Sequence, residues 1–188
     1  MPWFKKRSDT PKRVATDTSP NGVYSGLRTQ ALATNRTEME TPPATGGLAW
    51  GTLMETAYDD VTVSLFALSD GTTSLYFSNG GGVIGGQAHE AVRRANEAFL
   101  NQANHSLRHL ERCETYPVPE AAHTVFYVLT DSGILTGGAL ENDLGYGRHA
   151  LSPLFHAGHE VISQLRLISD DAYQIVGRER RERVSQRD

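Results

Sequence analysis

The stretch VTVSLFALSDGTTSLYFS, residues 61–78, decides how the chain folds. Val61, Val63, Leu65 and Ala67 alternate with Thr62, Ser64, Phe66 and Leu68. That is the two-residue period of an extended strand, here with both faces largely apolar. Asp70-Gly71 follows, a dipeptide that favours a tight hairpin because the turn needs positive φ. Thr73, Leu75 and Phe77 then alternate with Ser74, Tyr76 and Ser78 as the returning strand. Upstream, residues 48–56 read as a strand leading into a turn at Tyr58-Asp59-Asp60, so residues 48–78 form a three-stranded antiparallel meander.

Downstream, a glycine-rich loop at residues 79–86 leads into a long helix. Ala88, Val92, Ala95, Phe99, Ala103, Leu107 and Leu110 recur at helical spacing, with Glu90, Arg93, Arg94 and Glu97 opposite. Pro117 and Pro119 break the chain. Residues 125–129 give a fourth strand, Asp131-Ser132-Gly133 a turn, and residues 134–136 a fifth strand. Ser152-Pro153 then marks a helix start, a hydroxyl at the N-cap and a proline at the first helical position. Leu154, Gly158, Val161, Ile162, Leu165 and Ile168 form its buried stripe. The expected fold is α+β: a five-stranded antiparallel sheet in the order β-β-β-α-β-β-α, with helices packed on one face.

Upstream of the meander, residues 24–33 read as a short helix with Tyr24, Leu27 and Ala31 on one side. Residues 34–47, with Pro42-Pro43 and Gly46-Gly47, read as a linker. The expected division is a disordered basic tail at 1–22, a short helix and linker at 23–47, one domain at 48–176 and a charged tail at 177–188.

The 188 residues carry 18 Lys plus Arg against 22 Asp plus Glu, a net charge of −4. The balance is uneven. The first 22 residues hold Lys5, Lys6, Arg7, Lys12 and Arg13 against Asp9 and Asp17, and the last twelve hold five arginines against three carboxylates. The body between is therefore strongly acidic, which argues against nucleic acid as its ligand, since phosphate binding needs clustered cations. Trp3 and Phe4 beside Lys5, Lys6 and Arg7 make one short basic-aromatic patch, too little for stable membrane attachment. One cysteine, Cys113, excludes a disulfide framework. No apolar run approaches the ~20 residues of a membrane span, and no apolar segment follows the basic N-terminus, so a cytoplasmic protein is expected.

Two segments carry candidate chemistry. Gly80, Gly82 and Gly85 spell G-x-G-x-x-G between a strand and a helix, a setting in which Asn79, Gly80, Gly81, Gly82, Gly85 and His89 would meet an anionic ligand at a helix N-terminus. The same glycines also suit a turn, or a helix passing close over a sheet. The preceding strand belongs to an antiparallel hairpin, which is the wrong context for a dinucleotide fold. The second segment holds His149, His156, His159 and Glu160. On a helix beginning at Pro153 the last three share one side, and with His149 they form a candidate metal site, zinc being the ion that suits them. H-x-x-H-E is none of the established zinc signatures, and the same residues also serve as helix caps and packing groups. No cofactor is otherwise expected. No G-x-S-x-G and no paired-cysteine metal motif occurs.

The strings WGTLMET (50–56), DGTTSLYFSNGGGVIGG (70–86) and GRHALSPLFHAGHE (147–160) resemble, in this order, a bacterial protein family with no assigned activity. The resemblance covers roughly residues 48–168 and implies no catalytic residue. The order of elements is similar to that of profilin-, longin- and roadblock-like folds, a likeness of architecture that implies no function.

Two functions fit. One is a non-catalytic binding or scaffold module working through protein contacts. Its motive is the second apolar face of the 61–68 strand, expected to meet the leader helix, a second copy or another protein, with Phe66 at the interface. The other is a small-ligand- or metal-binding protein or enzyme. It requires the glycine loop and the histidine segment to converge at one end of two helices packed in the same sense.

Overall fold

A computed structural model of the chain describes residues 19–38 and 48–185, with side chains as far as Ile168. The meander forms as its alternation dictates: β1 (Ala49–Ala57), β2 (Thr62–Leu68) and β3 (Thr73–Phe77) pair antiparallel. Their β2–β3 turn is closed by Leu68 N–H to Thr72 O at 2.9 Å, with Asp70 Oδ1 accepting from Thr72 N–H at 2.8 Å. A third pair, β6 (His123–Thr130) and β7 (Gly133–Leu140), joins through β6 to the other side of β1.

The sheet has seven strands, not five, in the order β4-β3-β2-β1-β6-β7-β5. The two extra strands are its edges, β4 (Gly82–Ile84) and β5 (Glu111–Arg112), and at three and two residues they are too short to show a period. The fifth expected strand, placed at residues 134–136, runs on through two glycines to Leu140. The long helix is shorter than its apolar stripe: α2 ends at Ser106 (Glu90–Ser106), and a 3-10 turn carries Leu107–His109. After the short α3 (Glu141–Gly145), α4 runs over Ser152–Ser185, so the segment from 177 expected as a tail continues the helix to Ser185.

One face of the sheet packs as expected. Met54, Leu65, Leu75, Phe126 and Val128 meet Val92 and Phe99 of α2 and Leu154, Val161 and Leu165 of α4. The helices are not confined to this face: of the covers expected for the other one, the leader helix is the one present. Helix α1 (Pro20–Ala33) lies on the other face, where Tyr24 and Ala31 share a buried cluster with Leu53, Phe66, Tyr76, Tyr127 and Leu129. Phe66, expected at an interface, is 5% exposed and buried within the chain itself. The helix also begins before residue 23. Ser19 caps it by accepting from Gly22 N–H at 3.1 Å, and Pro20 occupies its first turn. At α4 the expected cap differs: Ser152 is the first helical residue, and its Oγ accepts from His149 N–H and donates to Asp143 O before the helix.

What ties α1 to the sheet is polar. Glu55 in the middle of β1 is 0% exposed. Arg28 of α1 grips it with a fork: Nε donates to Oε1 and Oε2 at 2.9 and 3.0 Å, and Nη2 to Oε2 at 2.7 Å. Ser64 of β2 and the Tyr24 hydroxyl also donate to Oε1, at 2.8 and 3.1 Å. Burial, followed by the charge of Glu55, pushes the Tyr24 phenol up to about 12, so it stays a neutral donor. Removing one partner of such a pair leaves the other charged and buried, at a cost of about 3 kcal/mol or more. Arg28→Ala is therefore expected to lower the unfolding free energy by about 3 kcal/mol, and Arg28→Met combined with Glu55→Met to recover much of that loss, both measured by urea denaturation. An unchanged midpoint for Arg28→Ala would mean that α1 does not depend on this contact.

Candidate functional site

The glycine segment builds a hairpin and a turn. Residues 78–81 link β3 to β4, with Gly80 N–H donating to Phe77 O at 3.0 Å and Phe77 N–H to Gly81 O at 3.2 Å. Gly82 has φ +157°, and a Cβ there would sit 2.2 Å from the Leu75 carbonyl oxygen, so only glycine lets this edge strand close on β3. Gly86 begins a 3-10 turn (Gly86–Ala88) and lies under α4, where a Cβ would meet Leu165 at 2.6 Å. Strand β4, which Gly82 opens, and the 3-10 turn thus stand between Gly80 and α2, whose N-cap is the exposed His89 with no side-chain cap bond. Asn79, Gly81 and Gly85 belong to the same turns.

The histidine segment opens α4. His149 is half-buried; its backbone N–H donates to Ser152 Oγ at 3.2 Å, and its ring Nδ1 accepts from Leu151 N–H at 3.2 Å, so its Nδ1 is committed to the turn before the helix. His156 is exposed, with its ring edge-on to Phe155. His159 is half-buried with its ring centroid 4.2 Å from that of Phe155, and its Nε2 is buried without a hydrogen-bond partner. Glu160 is exposed and accepts from Gln164 Nε2 at 2.7 Å. Among the described residues no three His, Cys, Asp or Glu side chains form a group able to hold a metal ion. Nor do the glycine turn and this segment share a cleft. Gly158 stands against Phe99, and Leu165 against Gly86, which neighbours Val92, so α2 and α4 run antiparallel and their N-termini lie at opposite ends.

Burial is the main cause that holds the His159 imidazole below the ordinary histidine range; the Glu141 charge opposes it, and His156 and Arg166 reinforce it. The native state then binds this proton less readily than the unfolded chain does, so stability is lost as pH falls through the unfolded value of about 6.5. The thermal midpoint is expected to drop between pH 7.5 and 5.5, and His159→Phe, which keeps a ring against Phe155, to flatten that slope. An equal slope in the variant would remove His159 as its source.

A groove that neither segment predicted lies on the α1 side of the sheet. Residues 113–122 leave the β5 edge with Cys113 N–H on Ile134 O at 3.1 Å. They cross toward α1, where Pro117 O accepts from Tyr127 Oη at 2.6 Å and from Arg28 Nη2 at 3.2 Å. They return at Ala122, which has φ +61°, donates to Ala57 O at 2.7 Å and accepts from Glu141 N–H at 2.8 Å. Pinned at these three places, the segment borders a cavity of about 530 Å³. Pro117, Val118 and Pro119 line one side, Val125 and Tyr127 of β6 with Gly137 and Gly138 of β7 another, and Cys113, Glu120 and His123 add polar groups. Small-molecule and peptide sites have this size and mostly apolar lining. The sequence signals were present: two prolines two apart hold a segment extended, and paired glycines leave a strand without side chains. Read alone, the two prolines mark only a chain break.

The only cysteine reports on this groove. Cys113 Sγ lies 3.6 Å from Ile134 O, and burial pushes the thiol above its ordinary range. Its alkylation by iodoacetamide is expected to reach half-maximal rate at a higher pH in the folded protein than in urea, because the thiolate is the nucleophile. Coincident profiles would mean that the thiol is not desolvated.

Comparison with protein-family models, curated proteins and solved structures returns no match. Among the described residues no helix is long and apolar enough to cross a membrane.

Proposed function

We propose that the protein is a non-catalytic binding module working through contacts with another protein, and that the groove between residues 113–122 and strands β6 and β7 receives an extended, apolar segment of that partner. The observation that carries this reading is the open end of β7. Strand β5 pairs with it only at Leu135 and Thr136, so among the described residues the outer edge toward Leu140 runs beside the groove without a neighbouring strand. Open edges are the usual place for a strand from another chain to add, with side chains of the added strand entering pockets alongside. The groove supplies such a pocket, and Val118 in its lining is displayed, at 49% exposed. The sheet face carrying Phe66 is not the docking surface in this reading, because α1 of the same chain covers it.

A peptide-display selection against the full chain tests this. Extended sequences rich in aliphatic residues are expected, and the selected peptides should protect Cys113 from alkylation. Val118→Asp, an exposed position, is expected to weaken their binding at least about tenfold, roughly 1.4 kcal/mol, with an unchanged thermal midpoint. Selected peptides that bind Val118→Asp equally well and leave Cys113 reactive would overturn the assignment.

A further inference from the structure

The open edge of β7 has a definite hydrogen-bonding phase. Ile134 O accepts from Cys113 N–H on the outer side, and Glu141 N–H donates to Ala122 O on the inner side. In an antiparallel strand the N–H and C=O of one residue point the same way, and the direction alternates along the chain. Ile134, Thr136, Gly138 and Leu140 therefore turn their backbone outward, while Gly137 and Ala139 turn theirs to β6. Strand β5 pairs only with Leu135 and Thr136, so the outward N–H and C=O of Gly138 face no strand among the described residues. Gly138 is exposed.

Gly138 is also bare on the groove side. It pairs with Val125, and a Cβ added to it would lie 3.1 Å from Val125 Cγ2, on the face that floors the groove. The same Cβ would stand 2.5 Å from the Thr124 carbonyl oxygen, so the position takes no side chain of its own. Glycine in an edge strand beside apolar neighbours is where a cross-strand aromatic ring gains most. The ring lies over the glycine and packs on the residues around it.

Charge sits at one end of the groove. Glu120 is the only acidic residue in its lining, and the lining holds no Lys or Arg. Glu120 is exposed and forms no salt bridge among the described residues. Its backbone oxygen accepts from His123 N–H at 3.1 Å, which sets it beside the residue that pairs with Leu140. Arg28, which reaches the groove wall at Pro117, is neutralised by Glu55.

Resting on the docking role of the groove, we propose that the segment it receives is a strand carrying an aromatic residue and a lysine or arginine two positions apart. The strand pairs with the outer edge of β7 at Gly138. Its aromatic side chain lies over Gly138, and its basic side chain reaches Glu120 at the Leu140 end. Aliphatic residues fill the remaining positions. The separation of two comes from strand geometry: successive side chains alternate between faces, and same-face neighbours are about 7 Å apart. A separation of one or three puts the two side chains on opposite faces. An acidic residue in place of the basic one meets Glu120 as a like charge.

The test reads the sequences that peptide display selects against the full chain, beside a parallel selection against the full chain carrying Glu120→Lys, a change at an exposed position. Against the unaltered chain, an aromatic residue and a Lys or Arg are expected together at a separation of two more often than at one or three. Against Glu120→Lys the basic position is expected to turn acidic while the aromatic position stays. A synthetic peptide of the selected sequence is expected to bind about tenfold more weakly when its aromatic residue becomes alanine. N-methylation is expected to weaken it at alternate backbone amides, those that face β7. Peptides that depend on Val118 but show no such separation, and whose charge preference is the same against Glu120→Lys, overturn this proposal and leave the groove as a docking site. Failure to select any peptide that depends on Val118 overturns both.

Discussion

A carboxylate at the centre of a sheet constrains everything around it. Glu55 sits in the middle of β1, flanked by β2 and β6, and is fully buried. An ionised carboxylate in that position is tolerable only if it is paired and its oxygens are hydrogen-bonded. Arg28, Tyr24 and Ser64 meet that demand together, and two of the three come from α1. The leader helix is thus specified by the sheet. Its apolar contribution is modest, with Tyr24 and Ala31 buried and Leu27 and Leu32 partly so, and the ion pair fixes where along the face it lies. The same guanidinium reaches Pro117 O and lies over the Tyr127 ring at 5.7 Å, so one side chain joins α1, β1, β6 and the 113–122 segment.

That arrangement also creates the groove. Helix α1 packs over Leu53, Phe66 and Tyr76 of β1, β2 and β3, while residues 113–122 are anchored at Pro117 by Arg28 and Tyr127. Between them β7 carries Thr136 and Gly138 on this face, opposite Tyr127 and Val125 of β6, with too little side chain to fill the space. On the other face α2 and α4 pack without such a gap around Phe99, Leu154 and Leu165. The two faces therefore have different tasks. One is a packed core that sets stability, and the other is a helix clamped by a salt bridge beside an open concavity.

The residues with the most suggestive chemistry turn out to be largely committed to structure. Gly82 and Gly86 are glycines because a backbone oxygen and α4 come too close for a side chain. His149 closes the turn before α4.

The sequence by itself determined the meander, the two principal helices and the α+β class. Strand alternation in residues 61–78 and the apolar stripes of α2 and α4 are local patterns with a period, and a period is legible without a partner. It also determined that β2 has two apolar faces and so needs cover on both. It did not reveal the edge strands, because two or three residues carry no period, nor the end of α2, where Leu107 and Leu110 keep the apolar spacing while the backbone tightens into a 3-10 turn. Only the tertiary structure decided that α1 supplies the second cover. Glu55 reads as an ordinary polar position in an edge-like strand until Arg28, 27 residues earlier in the chain, is brought against it. Likewise only the tertiary structure decided that α2 and α4 run antiparallel, which separates the glycine turn from the histidine segment. Pairing between distant residues depends on which strands and helices become neighbours, and no local pattern encodes that.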